Sequence, residues 1–68
     1  MTRDAIIALT AQRAATAEAA YQADRNVTTR DIAYTWADLA ARAAAMGDSK
    51  SEARRLTQEI ADADAYHA

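Results

Sequence analysis

The chain has no cysteine, no proline, no phenylalanine and one glycine in 68 residues. Without cysteine there is neither a disulfide to staple a small fold nor a thiolate to hold a metal. One glycine excludes a glycine-rich phosphate loop. With proline absent and β-branched residues scarce, little interrupts a helix. Long apolar runs are missing as well. Ile6 to Leu9, behind Met1-Thr2-Arg3, is too short for the apolar region of a signal peptide, and no run approaches the ~18 residues of a membrane span. The expectation is a cytoplasmic protein that does not enter a membrane. Neither sign of charge is in strong excess: the net charge is −2 and the isoelectric point about 5.1. That balance gives no long-range attraction to nucleic acid or to an anionic surface.

What is present is alanine, nearly a third of the chain. Alanine is the best helix former but contributes little to a core. The large apolar side chains are few, among them Ile6, Ile7, Leu9, Ile32, Trp36, Leu39, Met46, Leu56 and Ile60. A chain this short buries a small share of its surface, so a homo-oligomer or a protein partner is expected to supply further contact area. Seven of the eight basic residues are arginine, a bias that goes with GC-rich genomes and suggests a bacterial or phage source.

The punctuation predicts a single all-α domain: a small three-helix bundle or helical assembly with helices at about 3–25, 29–46 and 50–66. Thr2 is placed to cap the first helix, with Asp4 in its first turn. Asn26 suits a left-handed residue ending that helix. Thr28 as N-cap would place Asp31 at N3 and set Val27 against Ile32 as a hydrophobic staple. In "MGDSKSE", Gly47 reads as a helix stop, and Ser49 with Glu52 as a capping box that starts the third helix at once. Connections this short set neighbouring helices side by side.

Helical periodicity then assigns faces. Asp31, Thr35, Asp38 and Arg42 form a polar stripe on the second helix, with Asp38 and Arg42 an i,i+4 pair. Ile32, Trp36, Leu39, Ala43 and Met46 form its seam, and alanines cover its back. A helix apolar round most of its circumference is expected to be central and buried on more than one side. The third helix sets Ala53, Leu56, Ile60, Ala63 and His67 inward, and Arg54, Arg55, Gln58, Asp62 and Ala65 outward. On the first helix Ile6, Ile7, Leu9, Thr10, Ala14, Ala17, Ala20 and Tyr21 share a broad face, with Arg13 intruding. Small residues on the first two helices would let their axes approach closely.

Chemistry-bearing constellations are sparse. His67 is the sole histidine and has only Asp64 beside it as a second ligand; no metal or cofactor is expected. Ser49 and Ser51, the only serines, belong to the turn, and Asp62 and Asp64 point to different sides of one helix. The composition points away from catalysis and toward protein binding, in the manner of a small inhibitor or adaptor. Tyr34, Trp36, Ala37, Ala41, Arg13 and Tyr66 are the candidate partner contacts, Trp36 because tryptophan is enriched at binding hot spots. The alternative is DNA binding through the corner at residues 43–56. With Gly47 as turn glycine, the segment resembles helix-turn-helix DNA binders at Ala43, Met46, Ala53 and Leu56, and departs from them at Arg42 and Asp48. That resemblance implies a dimeric regulator in which Ser49, Lys50, Arg54 and Arg55 meet phosphates.

Overall fold

The computed structural model describes residues 1–67. They form three α-helices, α1 (Arg3–Ala23), α2 (Val27–Ala45) and α3 (Lys50–Tyr66), and no strand. The all-α three-helix bundle expected from the composition is what folds. Among the described residues no helix is long and apolar enough to cross a membrane.

α1 starts as expected: Thr2 Oγ1 accepts from the Ala5 N–H at 3.2 Å. Its end differs. The helix stops at Ala23 with Asp24 as C-cap, and Asn26 is extended at φ −146°, not left-handed. Asn26 instead caps α2. Its Oδ1 accepts from the Thr29 N–H at 2.9 Å, and Thr29 Oγ1 accepts from the Asn26 N–H at 3.1 Å. Thr29 Oγ1 also donates to the Asp24 carbonyl at 2.7 Å, tying the connection to the helix it leaves. Thr28 therefore lies inside α2, and the predicted Thr28–Asp31 box and Val27–Ile32 staple do not form; Val27 is exposed. Three residues here can cap a helix. Asn outranks Thr as a cap, and only Asn26 has a hydroxyl three positions on to complete the box.

α2 ends one residue before the predicted boundary, with Met46 as C-cap, and Gly47 takes φ +59°. The Ser49 N–H then donates to the Met46 carbonyl, and Ser49 Oγ accepts from the Glu52 N–H at 3.1 Å. Only that half of the predicted box forms. The Glu52 carboxylate is held by Arg42 and Arg55.

The buried residues are Ile6, Thr10 and Ala17 of α1, Ala33, Trp36, Leu39 and Ala43 of α2, Met46, and Leu56, Ile60 and Ala63 of α3. Ile7, Leu9, Ala14, Tyr21, Ile32 and Ala53 pack against this core half-buried. Four of the ten apolar core residues are alanines, so α1 and α2 run close together along most of their length while α3 approaches each over a shorter stretch. Thr10, the one buried polar side chain, donates to the Ile6 carbonyl at 2.8 Å and so leaves no unpaired hydroxyl inside. α2 is not enclosed. Ala37, Ala41, Ala44 and Ala45 on its back are exposed, and its burial is confined to the one sector that meets α1 and α3. The expectation of burial on more than one side is not met, since among the described residues no other helix covers these alanines.

Candidate functional site

The strongest electrostatic cluster joins α2 to α3. Arg42 donates from Nη1 to Glu59 Oε1 at 2.8 Å and from Nη2 to Glu59 Oε2 at 2.5 Å, a fork-to-fork pair, and from Nη2 to Glu52 Oε1 at 3.1 Å. Asp38, its expected partner one turn back, is farther at 3.7 Å. The hydrogen bonds to Glu59, then to Glu52, hold the guanidinium pKa above its ordinary value. Arg42 in turn holds the Glu59 carboxyl below the usual glutamate range, against the opposing effect of partial burial. Arg55 does not pair with Glu59 four residues on but reaches back to Glu52 at 3.5 Å. Sequence periodicity had placed Arg42 in a solvated stripe. Glu52 and Glu59, seven apart on one side of α3, were the signal that this stripe meets a second helix.

Arg13 fastens α1 to its neighbours in the same way. Its guanidinium lies 5.7 Å from the centre of the Trp36 ring and bonds Asp64 of α3 at 3.2 Å. Trp36 itself is 4% exposed. Two candidate contacts, Trp36 and Arg13, are thus engaged within the fold: burial removes Trp36 as an interface anchor, and Arg13 covers it from solvent.

The remaining four candidates are on the surface. Tyr34 is 68% exposed, Tyr66 is 85% exposed, and Ala37 and Ala41 are exposed between the turns. They do not form one patch. Arg42 and Arg13 mark the sides of α2 and α1 that face α3. Ala37 and Ala44 lie about 140–160° round α2 from Arg42, and Ala8, Ala11 and Ala15 about 140–160° round α1 from Arg13. All five are exposed. They make a shallow, alanine-lined face on the side of the hairpin away from α3, with Ala41 and Tyr34 continuing it round the flank of α2. Tyr66 is elsewhere, at the end of α3, edge-on to His67 with ring centres 5.0 Å apart.

The residues proposed for DNA separate similarly. Lys50 and Arg54 line a groove of about 610 Å³ between α3 and the start of α1, with Arg3, Ala53, Thr57 and Ala61. Ser49 borders it but commits its hydroxyl oxygen to the α3 cap, and Arg55 is turned to Glu52. Asp48 stands on the same rim. A second groove, of about 580 Å³ between α2 and α3, is acidic, with Asp31, Asp38, Glu59 and Asp62 around Leu39 and Tyr66.

No family model, curated protein or solved structure matches the chain. The site therefore has to be read from its own surfaces. Among the described residues no set of three His, Asp or Glu side chains is arranged to hold a metal ion. What the molecule presents is a closed core, grooves along α3 that include a basic and an acidic one, and an exposed row of alanines on the α1–α2 hairpin.

Proposed function

We propose that this protein acts without catalysis, by binding another protein through the alanine-lined face of the α1–α2 hairpin. The observation that carries this is the exposure of Ala8, Ala11, Ala15, Ala37, Ala41 and Ala44 beside Tyr34, a large aromatic two-thirds in solvent. Methyl-sized side chains allow a partner helix to approach closely, and a tyrosine at the border adds apolar area with a hydroxyl that tolerates water. A chain with so few large core residues gains proportionately from such contact. An adaptor or inhibitor of bacterial or phage origin is the concrete form that best fits the size and composition.

The test places a photo-crosslinking amino acid at Ala37 in the expressing host, with a second variant carrying it at Thr28, exposed on the opposite side of α2, as control. The protein trapped from Ala37 is identified by mass spectrometry, purified and titrated against the parent and against Ala37→Glu/Ala41→Glu. The expected result is an adduct specific to Ala37 and loss of binding by the double variant. Equal trapping at Thr28, or unchanged binding by the double variant, overturns the reading.

A further inference from the structure

We propose that the outward face of α3 is a self-association surface, which pairs with α3 of a second copy in antiparallel register about a two-fold axis at Gln58. This surface is separate from the α1–α2 face, and the inference does not rest on that reading.

The starting point is how charge is laid along α3. Apart from Glu52 in the first turn, Lys50, Arg54 and Arg55 make its first half basic and Glu59, Asp62 and Asp64 make its second acidic, with no basic residue in the last turn. A helix dipole favours the opposite order, acids at the start and bases at the end. Some of these charges are used inside the fold: Glu59 by Arg42, Asp64 by Arg13, and Arg55 by Glu52. The rest are not. Among the described residues Lys50 and Arg54 have no carboxylate within 4.0 Å, and Asp62 has only the Gln58 amide, at 3.0 Å. The uncompensated cations lie at one end of the outer face and the uncompensated acid toward the other.

An antiparallel copy matches this arrangement position by position. Residues equally far before and after Gln58 meet across the axis. Arg54, four before, faces Asp62 of the second copy, four after. Lys50, eight before, faces the ring of Tyr66, eight after, within the reach of a cation–π contact. Ser51 faces Ala65 and Arg55 faces Ala61, so small side chains lie where the backbones would come nearest. Each contact occurs twice by symmetry, and the two helix dipoles oppose. All eight of these positions are exposed, and Tyr66, at 85%, is the most exposed of the large apolar side chains. A shallow groove of about 410 Å³ lined by Ser51, Arg54, Arg55, Gln58 and Glu59 already runs beside Gln58.

One helix pair is a small interface, under ~1,200 Å² in total, so the dimer is weak and appears with concentration. Sedimentation equilibrium from ten micromolar to one millimolar, at low salt, reads it directly. The parent should pass from monomer to dimer. Arg54→Glu and Asp62→Arg should each weaken dimerisation by at least about tenfold, because each turns two attractions into two repulsions. An equimolar mixture of the two variants should recover a heterodimer. There the introduced glutamate meets the introduced arginine, and the native Asp62 of one chain meets the native Arg54 of the other. Helical circular dichroism recorded on each variant separates loss of pairing from loss of fold. Ala37→Glu/Ala41→Glu should dimerise like the parent. A parent that stays monomeric at one millimolar overturns the proposal. So does dimerisation undisturbed by either single charge reversal, or a mixture that fails to recover it.

Discussion

Replacing Arg42 with methionine keeps the length of the side chain and removes every polar contact that ties α2 to α3. The magnitude follows from exposure. Arg42, Glu52 and Glu59 have side chains 32%, 26% and 39% exposed, so water screens them substantially, and the several kcal/mol lost on breaking a buried pair do not apply. Exposed ion pairs contribute about 0.2–1 kcal/mol each, bidentate geometry lying toward the upper end. The Asp38 contact, at 3.7 Å to a carboxylate 69% exposed, adds almost nothing. Removing the cation also leaves Glu52 and Glu59 facing the same space. The expected cost is about 1–2 kcal/mol, from a total stability of roughly 3–10 kcal/mol for a chain this size.

Thermal melts followed by circular dichroism are the assay. Each kcal/mol corresponds to roughly 6–8 °C for a domain this short, so Arg42→Met should melt about 6–16 °C below the parent. Two further dependences identify the cause. The gap should shrink in 1 M salt, where the Debye length falls to ~3 Å. It should also narrow at acid pH. The folded-state pKa of Glu59 is depressed by Arg42, so as pH falls the unfolded chain takes up its proton first. The stability that Arg42 lends Glu59 is present above the ordinary glutamate value, ~4.3, and is lost as pH drops through the folded value. A gap under about 2 °C, or one indifferent to both salt and acid, would show that the Arg42 cluster does not hold α3 in place.

Three other substitutions test separate parts of the fold. Trp36→Ala removes the largest buried side chain of α2 and uncovers the place where Arg13 stacks; it should cost roughly 3–5 kcal/mol, and a melt within a few degrees of the parent refutes its place in the core. Gly47→Val should cost about 1–2 kcal/mol from backbone strain alone, since a Cβ at that φ of +59° meets nothing within 4 Å; Gly47→Asn should cost less, and equal melts for the two would count against the left-handed turn. Asn26→Ala should lose ~1 kcal/mol with its cap while Thr28→Ala stays within a few tenths, and the reverse order would return the start of α2 to Thr28.

The helices were legible in the sequence because their punctuation is chemically loud where it is unique. Gly47 is the only residue that takes positive φ without cost, Thr2 stands just before a helical run, and Ser49 has Glu52 three positions on. At Asn26-Val27-Thr28-Thr29 the same rules are degenerate, and the choice turned on which side chain could close both hydrogen bonds of the box. The inward seam of α3 was equally plain, since Leu56, Ile60 and Ala63 recur at helical spacing. Less legible was the partner of each charge. Periodicity finds neighbours within one helix, so it supplied Asp38 for Arg42, a pair the structure keeps at 3.7 Å. It could not supply the closer partners of Arg42, Glu59 and Glu52, because they stand on a facing helix, where a carboxylate can meet the guanidinium end-on. Trp36 illustrates the same gap: a seam position identifies an inward side chain, and only packing shows whether the chain itself or a partner covers it.

The pairing of charges also decides how far the net charge of −2 can be used to exclude anionic partners. Between the helices Arg42 pairs with Glu59 and Glu52, and Arg13 with Asp64, whereas Arg3, Lys50 and Arg54 line one groove with no strong carboxylate contact of their own. One side is therefore locally basic in an acidic protein, which the overall charge conceals. Three cations still make a poor DNA reader. Each phosphate neutralised contributes about 0.9 to the slope of log affinity against log salt, so the limit for one copy is near three. Asp48 on the same rim works against even that. Generic duplex DNA, titrated by fluorescence anisotropy, should bind weakly at about 50 mM salt and lose all detectable affinity by about 150 mM. An antiparallel α3 dimer would bury Lys50 and Arg54 and leave less for phosphate, so DNA affinity should not rise with protein dimerisation. Binding that persists at about 150 mM salt with a slope near six, and that Arg54→Glu abolishes, would instead establish the corner at residues 43–56 as a nucleic-acid surface and return Lys50 and Arg54 to that role.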